Sequence, residues 1–245
     1  MNRRDYSHAN NPVFECAESV LLLPFGRRSY LPAIVDQLHG EEIALDETVD
    51  REVFSLRGAP SPVTLVFSGM GSPAAANALE MVAAAGGRRV VVFGACGGVA
   101  PEVEVGHLIV ATGGVRGEGT SGYYAPASFP AGFDPLLTTR LWRASSDSGV
   151  PSHRGVVFTT DAGYRQGPEI YEDCAGLVIG VESECAAAAV VGARLGLEMS
   201  ALLFCTDNVT HHREEDRSYR GLRDARVRRA FDAGLAAVIR VLTEP

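Results

Sequence analysis

The stretch Val63-Thr64-Leu65-Val66-Phe67-Ser68-Gly69-Met70-Gly71-Ser72-Pro73-Ala74 joins a short β-rich run to a glycine turn and a proline. An apolar run of this length is typical of a strand that is covered on both faces. Gly69 and Gly71 favour a tight turn, and Pro73 suits the first turn of a helix. The stretch therefore predicts a strand that passes through a turn into a helix, as in α/β proteins.

Similar runs recur along the chain and predict further strands. They are Ser19–Leu23, Val63–Phe67, Val90–Phe93, Leu108–Thr112, Val156–Phe158, Leu177–Val181 and Ala201–Thr206. Helical patterns lie between or after these runs. Two are predicted over Pro73–Ala85 and over Glu184–Leu195, which Gly196 ends. A last helix is predicted from a stripe of apolar residues at helical spacing, which are Val227, Phe231, Leu235, Val238 and Leu242. The alternation predicts an α/β fold, a three-layer α/β/α sandwich around a central mixed and twisted sheet.

Length and composition narrow the class of protein. The chain has 245 residues, 46% of them hydrophobic, and no linker divides it, so we expect one domain over residues 1–245. A formal net charge of −8 argues against a nucleic-acid partner, because binding phosphate backbones requires clustered Lys and Arg. No apolar run of about 18 residues is present, so we expect no membrane span. A small-molecule ligand is predicted.

The cysteines and histidines do not form a metal-site pattern. Five cysteines at irregular spacing include no Cys-x-x-Cys pair, so we predict neither a disulfide framework nor a zinc site. A reducing cytoplasm is the location that this cysteine usage predicts. Adjacent histidines cannot face one metal from a regular element. We therefore interpret His211-His212-Arg213-Glu214-Glu215-Asp216-Arg217 as a solvated loop rather than a metal site.

Two glycine-rich segments follow predicted strands. The turn Ser68–Ala74 opens a helix, where free backbone N–H groups favour an anion, so it predicts a phosphate cradle. It also fits the loose dinucleotide pattern G-x-G-x-x-A, but that site needs an acid after the next strand, which ends in Phe93-Gly94. A second turn is predicted over Gly94–Pro101; the alternative is glycine used for tight packing.

Three carboxylates are candidates for chemistry. Glu182 and Glu184 lie two residues apart before a helix; such a carboxylate can clamp adjacent sugar hydroxyls, or simply be a solvated acid at the helix N-terminus. Asp207 follows a probable central strand, where burial would raise its pKa and let it donate a proton; the alternative is an N-cap. Tyr123-Tyr124 and Tyr164 can stack on a base or pack in loops.

The order of these segments resembles the nucleoside phosphorylase family, which includes uridine and purine nucleoside phosphorylases and the nucleosidases of methylthioadenosine and adenosylhomocysteine. The resemblance runs from about His8 to Leu242. It is carried in order by Gly69-Met70-Gly71, Gly94-Ala95-Cys96-Gly97-Gly98, Val105-Gly106-His107-Leu108-Ile109-Val110, Val115-Arg116-Gly117-Glu118-Gly119-Thr120-Ser121, Thr160-Asp161-Ala162-Gly163-Tyr164 and Val181-Glu182-Ser183-Glu184. It implies the phosphorylase/hydrolase-like form of the α/β/α sandwich.

The resemblance implies roles for residues around the sugar and the base. Glu184 is similar to the carboxylate that grips the ribose 2′ and 3′ hydroxyls, and Ser183 stands beside it where the family usually has Met. His8 is similar to a histidine that reaches the 5′ end of the nucleoside in a neighbouring subunit. The base would be bound by a set of three residues. These are Glu182, Tyr164 and Gly97.

The resemblance also implies an acid and a phosphate site. Asp207 resembles the acid that protonates a purine nitrogen, and Arg220 resembles the arginine that assists it. Phosphate would be bound by Arg27, by Arg51 from a partner subunit and by Gly71. Val92 and Ala95, however, stand where phosphorylases generally have Arg and Ser or Thr, so two phosphate ligands are absent.

The function implied is phosphorolysis of a purine nucleoside to a free base and a pentose 1-phosphate. Phosphate would be the co-substrate, with no other cofactor and no metal, in a homodimer or a hexamer with shared sites. Asp207 favours a purine, whereas Val115–Pro126 resembles the uridine phosphorylases. The absent phosphate ligands leave two alternatives, a nucleosidase that uses water and a nucleoside-binding relative without turnover.

Overall fold

The computed structural model of the chain describes residues 14–39, 44–47, 53–165, 174, 176–208, 210 and 214–244. The strands are β1 Ser19–Leu23, β2 Ala44–Glu47, β3 Val53–Arg57, β4 Val63–Phe67, β5 Arg89–Gly98, β6 Leu108–Gly117, β7 Ala131–Gly132, β8 Ser152–Thr160, β9 Gly180–Glu182 and β10 Glu198–Asn208. The helices are α1 Arg27–His39, α2 Ser72–Ala84, α3 Pro135–Ser146, α4 Cys185–Leu195 and α5 Ala225–Thr243.

The sheet is covered by helices on both faces, which confirms the predicted three layers. One hydrophobic cluster joins the sheet to α1, α3 and α5, and includes Phe93, Phe204 and Phe231. The other cluster joins the opposite face to α2 and α4. Neighbouring residues of β5 alternate between these clusters, as Val92 and Phe93 do, because successive side chains of a strand point to opposite faces.

The sheet is mixed, as predicted, and part of it closes on itself. The strand order is β10-β6-β8-β9-β5-β1-β4-β3-β2, and β10 also pairs with β5. Strands β5, β10, β6, β8 and β9 therefore form a ring. Register shifts interrupt the pairing after Ala111 in β6 and after Cys205 in β10. Such bulges bend a strand and increase its twist, which helps these long strands close.

Several predicted elements are confirmed, with different lengths. The strands Ser19–Leu23 and Val63–Phe67 have the predicted bounds, whereas β6, β8 and β10 are longer than predicted. Pro73 lies in the first turn of α2, and Gly196 ends α4 with a positive φ of 74°. All five residues of the stripe on the last helix are buried in α5. Helices α1 and α3 and the hairpin β2–β3 were not predicted.

The prediction of a second glycine turn over Gly94–Pro101 is wrong, because β5 continues through Gly98. The glycines provide space within the ring instead. A Cβ on Gly94 would lie 2.9 Å from Pro24 Cγ, and a Cβ on Gly98 would lie 2.8 Å from Asn208 Nδ2 and 2.9 Å from the Val103 carbonyl oxygen. Close approach, the alternative interpretation, therefore explains this segment.

Among the helices of the described residues, none has both the length and the apolar character needed to cross a bilayer.

Candidate active site

The glycine turn before α2 is bonded to the segment before α4. Gly69 and Gly71 have φ values of 77° and 104°, which glycine adopts without steric cost. The backbone N–H of Gly71 donates to Oε1 of Glu184 at 2.6 Å, and the hydroxyl of Ser72 donates to the carbonyl oxygen of Ser183 at 2.7 Å. The proposed phosphate turn thus holds the proposed ribose carboxyl. The phosphate role of Gly71 stays a prediction.

Glu182 is buried in a network of hydrogen bonds. Its Oε2 accepts from the backbone N–H groups of Glu184 and Cys185, both at 2.6 Å, and its Oε1 accepts from the hydroxyl of Thr159. The Thr159 hydroxyl also accepts from the N–H of Ala186 at 2.8 Å. Glu182 therefore caps α4 as a buried acid, not as the solvated one of the alternative interpretation. Its contact with a base stays a prediction.

Glu184 is a buried carboxyl that keeps its proton more readily than an exposed glutamate does. Only 4% of the residue is exposed. Burial, followed by the charge of Glu182, raises the pKa of Glu184 to about 8, although the Gly71 and Ser183 amides oppose the shift. Burial also raises the pKa of Glu182, against its three hydrogen bonds. Ser183 between them is half-buried. Glu184 is thus a buried carboxyl that titrates near neutral pH.

Asp207 of β10 and Val181 of β9 lie on either side of Gly97 in β5. A Cβ on Gly97 would lie 3.1 Å from Oδ2 of Asp207 and 3.2 Å from Cγ1 of Val181, so only glycine leaves this space open. The hydroxyl of Thr206 donates to Oδ1 at 2.7 Å. Burial raises the pKa of Asp207, and the bond from Thr206 opposes the rise. Asp207 lies inside central strand β10 and does not cap a helix, so the N-cap alternative is excluded.

Arg220 is anchored next to Asp207 through its backbone. Its N–H donates to the carbonyl oxygen of Thr206 at 2.9 Å, while its guanidinium donates to the carbonyl oxygen of Glu215. Its assistance to Asp207 therefore stays a prediction. The prediction of a solvated loop nearby fails for Asp216, which is 1% exposed and pairs with Arg226 at 2.9 Å. His211 and His212 lie outside the described residues.

The remaining predicted site residues are only partly placed. Arg27 begins α1 and Tyr164 lies in a short 3₁₀ helix over Gly163–Arg165, but their side chains are outside the description. His8 and Arg51 lie outside the described residues altogether. Their roles stay predictions.

Val92 and Ala95, which stand where phosphorylases generally have phosphate-binding side chains, have different surroundings. Val92 is fully buried in the cluster beneath α2 and α4, whereas Ala95 is half-buried and packs against the opposite cluster. An arginine at position 92 would thus have no route to solvent without repacking the core. The loop that leads to Arg27 lies close by, since Pro24 contacts the Gly94 position.

A cavity of about 430 Å³ lies beside the start of α2. Its lining includes Pro73 and Asn77 of α2, Tyr123, Tyr124 and Asp161. The Asp161 carboxylate accepts from the backbone N–H of Gly119 at 2.8 Å, which joins the two loops that form the cavity wall. Tyr123 is 92% exposed, so its ring lies at the rim. Within the described part of the chain, no group of three or more His, Cys, Asp or Glu side chains is arranged to hold a metal.

Sequence reasoning missed two threonines that organise the carboxyls. Thr159 donates to Glu182 and Thr206 donates to Asp207. A signal was available, since each is a polar residue that follows an apolar run at the carboxyl end of its strand.

The chain is similar in sequence to known proteins. The family model described as the phosphorylase superfamily matches residues 39–242. A uridine phosphorylase of Klebsiella aerogenes is 36% identical over 118 residues, which are 48% of this chain and 46% of that protein. A guanosine phosphorylase of Halorubrum lacusprofundi is 32% identical over 145 residues, 59% of each protein. The chain therefore spans about half the length of these relatives.

Solved structures share the fold. A purine nucleoside phosphorylase from Toxoplasma gondii in complex with immucillin-H has a TM-score of 0.77 at 18% identity, with 94% of this chain and 91% of that chain covered. An AMP nucleosidase from Bacteroides thetaiotaomicron has a TM-score of 0.63 at 23% identity, with 90% and 88% covered. At these identities the likeness concerns the fold alone. The family model, which matches most of the chain, shows that this protein belongs to the phosphorylase superfamily.

Proposed function

We propose that this protein cleaves the N-glycosidic bond of a nucleoside with phosphate, which gives a free base and a pentose 1-phosphate. The observation that carries the proposal is the buried Glu184 carboxyl, fixed by the Gly71 amide at the start of a helix. A carboxylate held in this way can accept hydrogen bonds from two neighbouring ribose hydroxyls. The related uridine and guanosine phosphorylases support the same reaction class.

The chemistry requires positioning and charge stabilisation rather than a protein nucleophile. Glu184 would orient the ribose while positive charge develops on the sugar and the bond to the base breaks. Asp207, whose pKa burial raises, would give its proton to the departing base. Arg220, whose backbone is bonded beside Asp207, would assist after its guanidinium leaves the Glu215 carbonyl. Phosphate is the proposed co-substrate, without a metal or another cofactor.

A purine nucleoside is the proposed substrate. Burial raises the pKa of Asp207, so it would donate a proton to a purine ring nitrogen, for which pyrimidines have no equivalent. Gly97 has no side chain to occupy the position next to Oδ2 of Asp207, which supports the approach of a flat base to that oxygen. Uridine is the competing substrate, because uridine phosphorylases are among the relatives.

Hydrolysis is the second candidate, and it is favoured by the surroundings of Val92 and Ala95. Each missing charge-assisted hydrogen bond would cost about 1.5–3 kcal/mol of phosphate affinity. Val92 is fully buried and Ala95 has no hydroxyl, so Arg27, Arg51 and the turn at Gly71 would have to bind phosphate alone. If they do not, water takes the place of phosphate.

The deciding experiment is a panel of inosine, guanosine, adenosine and uridine, incubated with and without phosphate and analysed for free base by chromatography. Phosphorolysis predicts base release that requires phosphate, and hydrolysis predicts release without it. Glu184→Gln should lower kcat/KM by about 10²-fold or more. Glu198→Gln is the matched control, since Glu198 is exposed, begins β10 at the end away from Asp207, and pairs with Arg89. Nucleoside binding by calorimetry without base release would indicate a non-catalytic relative.

The proposal includes a homodimer or a hexamer, because His8 and Arg51 would act on a partner's site. Light scattering on purified protein measures the mass directly. The cytoplasmic location stays a prediction from cysteine usage.

A further inference from the structure

Thr206 is the extra residue at a bulge in β10. Cys205 pairs with Cys96 and Asp207 pairs with Gly97, so two consecutive positions of β5 face positions two apart in β10. A bulge redirects the side chains around it, and such irregularities are common next to active sites. The Thr206 side chain is buried, with 2% of the residue exposed, and its hydroxyl lies between Asp207 and β5. The bulge therefore places a hydroxyl behind the proposed acid.

This hydroxyl has two acceptors and one hydrogen. Oγ1 of Thr206 lies 2.7 Å from Oδ1 of Asp207 and 3.1 Å from the carbonyl oxygen of Cys96. A hydroxyl can donate to only one acceptor at a time at full strength. A neutral Asp207 competes with the Cys96 carbonyl for the hydrogen on similar terms. A carboxylate is the stronger acceptor, so charge on Asp207 draws the hydrogen to Oδ1.

The other oxygen of Asp207 remains available to a ligand. Oδ2 lies next to Gly97, and none of the described residues donates a hydrogen bond to it. The groups that face Asp207 or its neighbours are the thiols of Cys96 and Cys205 and the carboxyl of Glu182. The guanidinium of Arg220 is bonded to Glu215. Within the described part of the chain, the Asp207 carboxyl is hydrogen-bonded to the Thr206 hydroxyl and to none of these groups.

We infer that Thr206 is a positioning residue, which turns Oδ2 of Asp207 toward the base and stabilises the carboxylate that remains after proton transfer. The inference rests on the proposed function. As the glycosidic bond breaks, its electron pair goes to the base, and the proton on Oδ2 moves to a ring nitrogen. Asp207 is left as a carboxylate, and the Thr206 hydrogen bond to Oδ1 strengthens. An interaction that is stronger in the transition state than in the ground state accelerates the reaction.

The test compares Thr206→Val, which keeps the shape and removes the hydroxyl, with Thr206→Ser, which keeps the hydroxyl. The substrates are inosine and 7-methylinosine; the second already carries the positive charge and needs no proton. Thr206→Val should lower the ratio of kcat for inosine to kcat for 7-methylinosine by about 10- to 100-fold. Thr206→Ser should restore the ratio to within about threefold of the parent protein. An equal loss on both substrates, or no loss, overturns the inference.

A second measurement does not depend on turnover. The infrared carboxyl band of Asp207, assigned by its loss in Asp207→Asn, is titrated in the parent protein and both variants. Thr206→Val should raise the midpoint by about one to two pH units, and Thr206→Ser should leave it close to the parent value. An unchanged midpoint in Thr206→Val overturns the inference whether or not the protein is active. If the midpoint shifts but the protein cleaves no nucleoside, the proposed function is rejected and the catalytic part of the inference is overturned. The hydrogen bond from Thr206 to Asp207 would still be supported in that case.

Discussion

Nucleoside binding should strengthen as the pH rises through neutrality, because Glu184 must lose a proton to accept bonds from two hydroxyls. Burial and the charge of Glu182 raise the pKa of Glu184 to about 8. The single amide that bonds Oε1, from Gly71, does not offset this cost. The free protein therefore holds a mostly neutral Glu184 at pH 7, and the ribose must bind to the minor, ionised form.

The size of the effect follows from the titration. A carboxyl with a pKa of about 8 is roughly one-tenth ionised at pH 7 and roughly one-hundredth ionised at pH 6. The apparent Kd for a nucleoside scales inversely with that fraction. It should fall about tenfold between pH 6 and pH 7 and level off above pH 8.

Calorimetry with inosine in phosphate-free buffers from pH 6 to pH 9 measures this dependence. The titration is made in an Asp207→Asn background, so that the second carboxyl does not contribute. Glu184→Gln in the same background should bind more weakly and show no pH dependence below pH 8, whereas the exposed Glu198→Gln should keep the slope. A flat Kd from pH 6 to pH 8, or the same slope without Glu184, would refute the reasoning.

Three further predictions concern stability. Because the native state keeps a proton on Glu184 that the unfolded chain releases above pH 4.5, this group should lower the unfolding free energy by about 1.4 kcal/mol per pH unit between pH 5 and pH 8. The slope measured in urea titrations at fixed pH should therefore change by about that amount in Glu184→Gln. His107 Nδ1 and His153 Nε2 lie 3.0 Å apart and burial lowers both pKa values, so the contribution of this pair to native stability should be lost as the pH falls below 6.5. Compared with the parent protein, His153→Gln should lose less melting temperature between pH 7 and pH 5. Glu182→Ala should cost about 2–5 kcal/mol in urea unfolding, since it strands three buried donors, and a cost as small as that of the exposed Glu198→Ala would contradict the network.

The layers of the fold were predictable because they depend on patterns that are local in sequence. The run Val63–Phe67, the glycine turn after it and the stripe on α5 each specify their own element. The closure of the ring was not predictable, since it depends on pairing between β5 and β10, more than a hundred residues apart. The Gly94–Gly98 segment has the composition of a turn for that reason, as its glycines accommodate side chains from distant strands.

The two glutamates illustrate what sequence could and could not assign. Their spacing and their place before a helix predicted a carboxyl site, and the structure brings Glu184 to the glycine turn. The sequence could not show that both carboxyl oxygens of Glu182 accept hydrogen bonds from Thr159 and from the start of α4. These partners come from β8 and from the backbone at the helix N-terminus, so they are known only once the chain is folded. The hydroxyl behind Asp207 was hidden for the same reason, since only the register with β5 identifies Thr206 as the bulged residue.

The proposed site has three carboxyl groups and would also have to bind a phosphate, and their protonation states would reduce the repulsion between them. Three carboxylates together would repel a phosphate anion strongly in a buried crevice. Burial raises the pKa of all three carboxyls and favours their neutral forms, although hydrogen bonds from donors of α4 and β8 oppose the shift of Glu182. The free site thus carries less negative charge than its sequence suggests. The same burial would give Asp207 a proton to donate, so the proposed arrangement would both admit phosphate and supply the acid for the departing base.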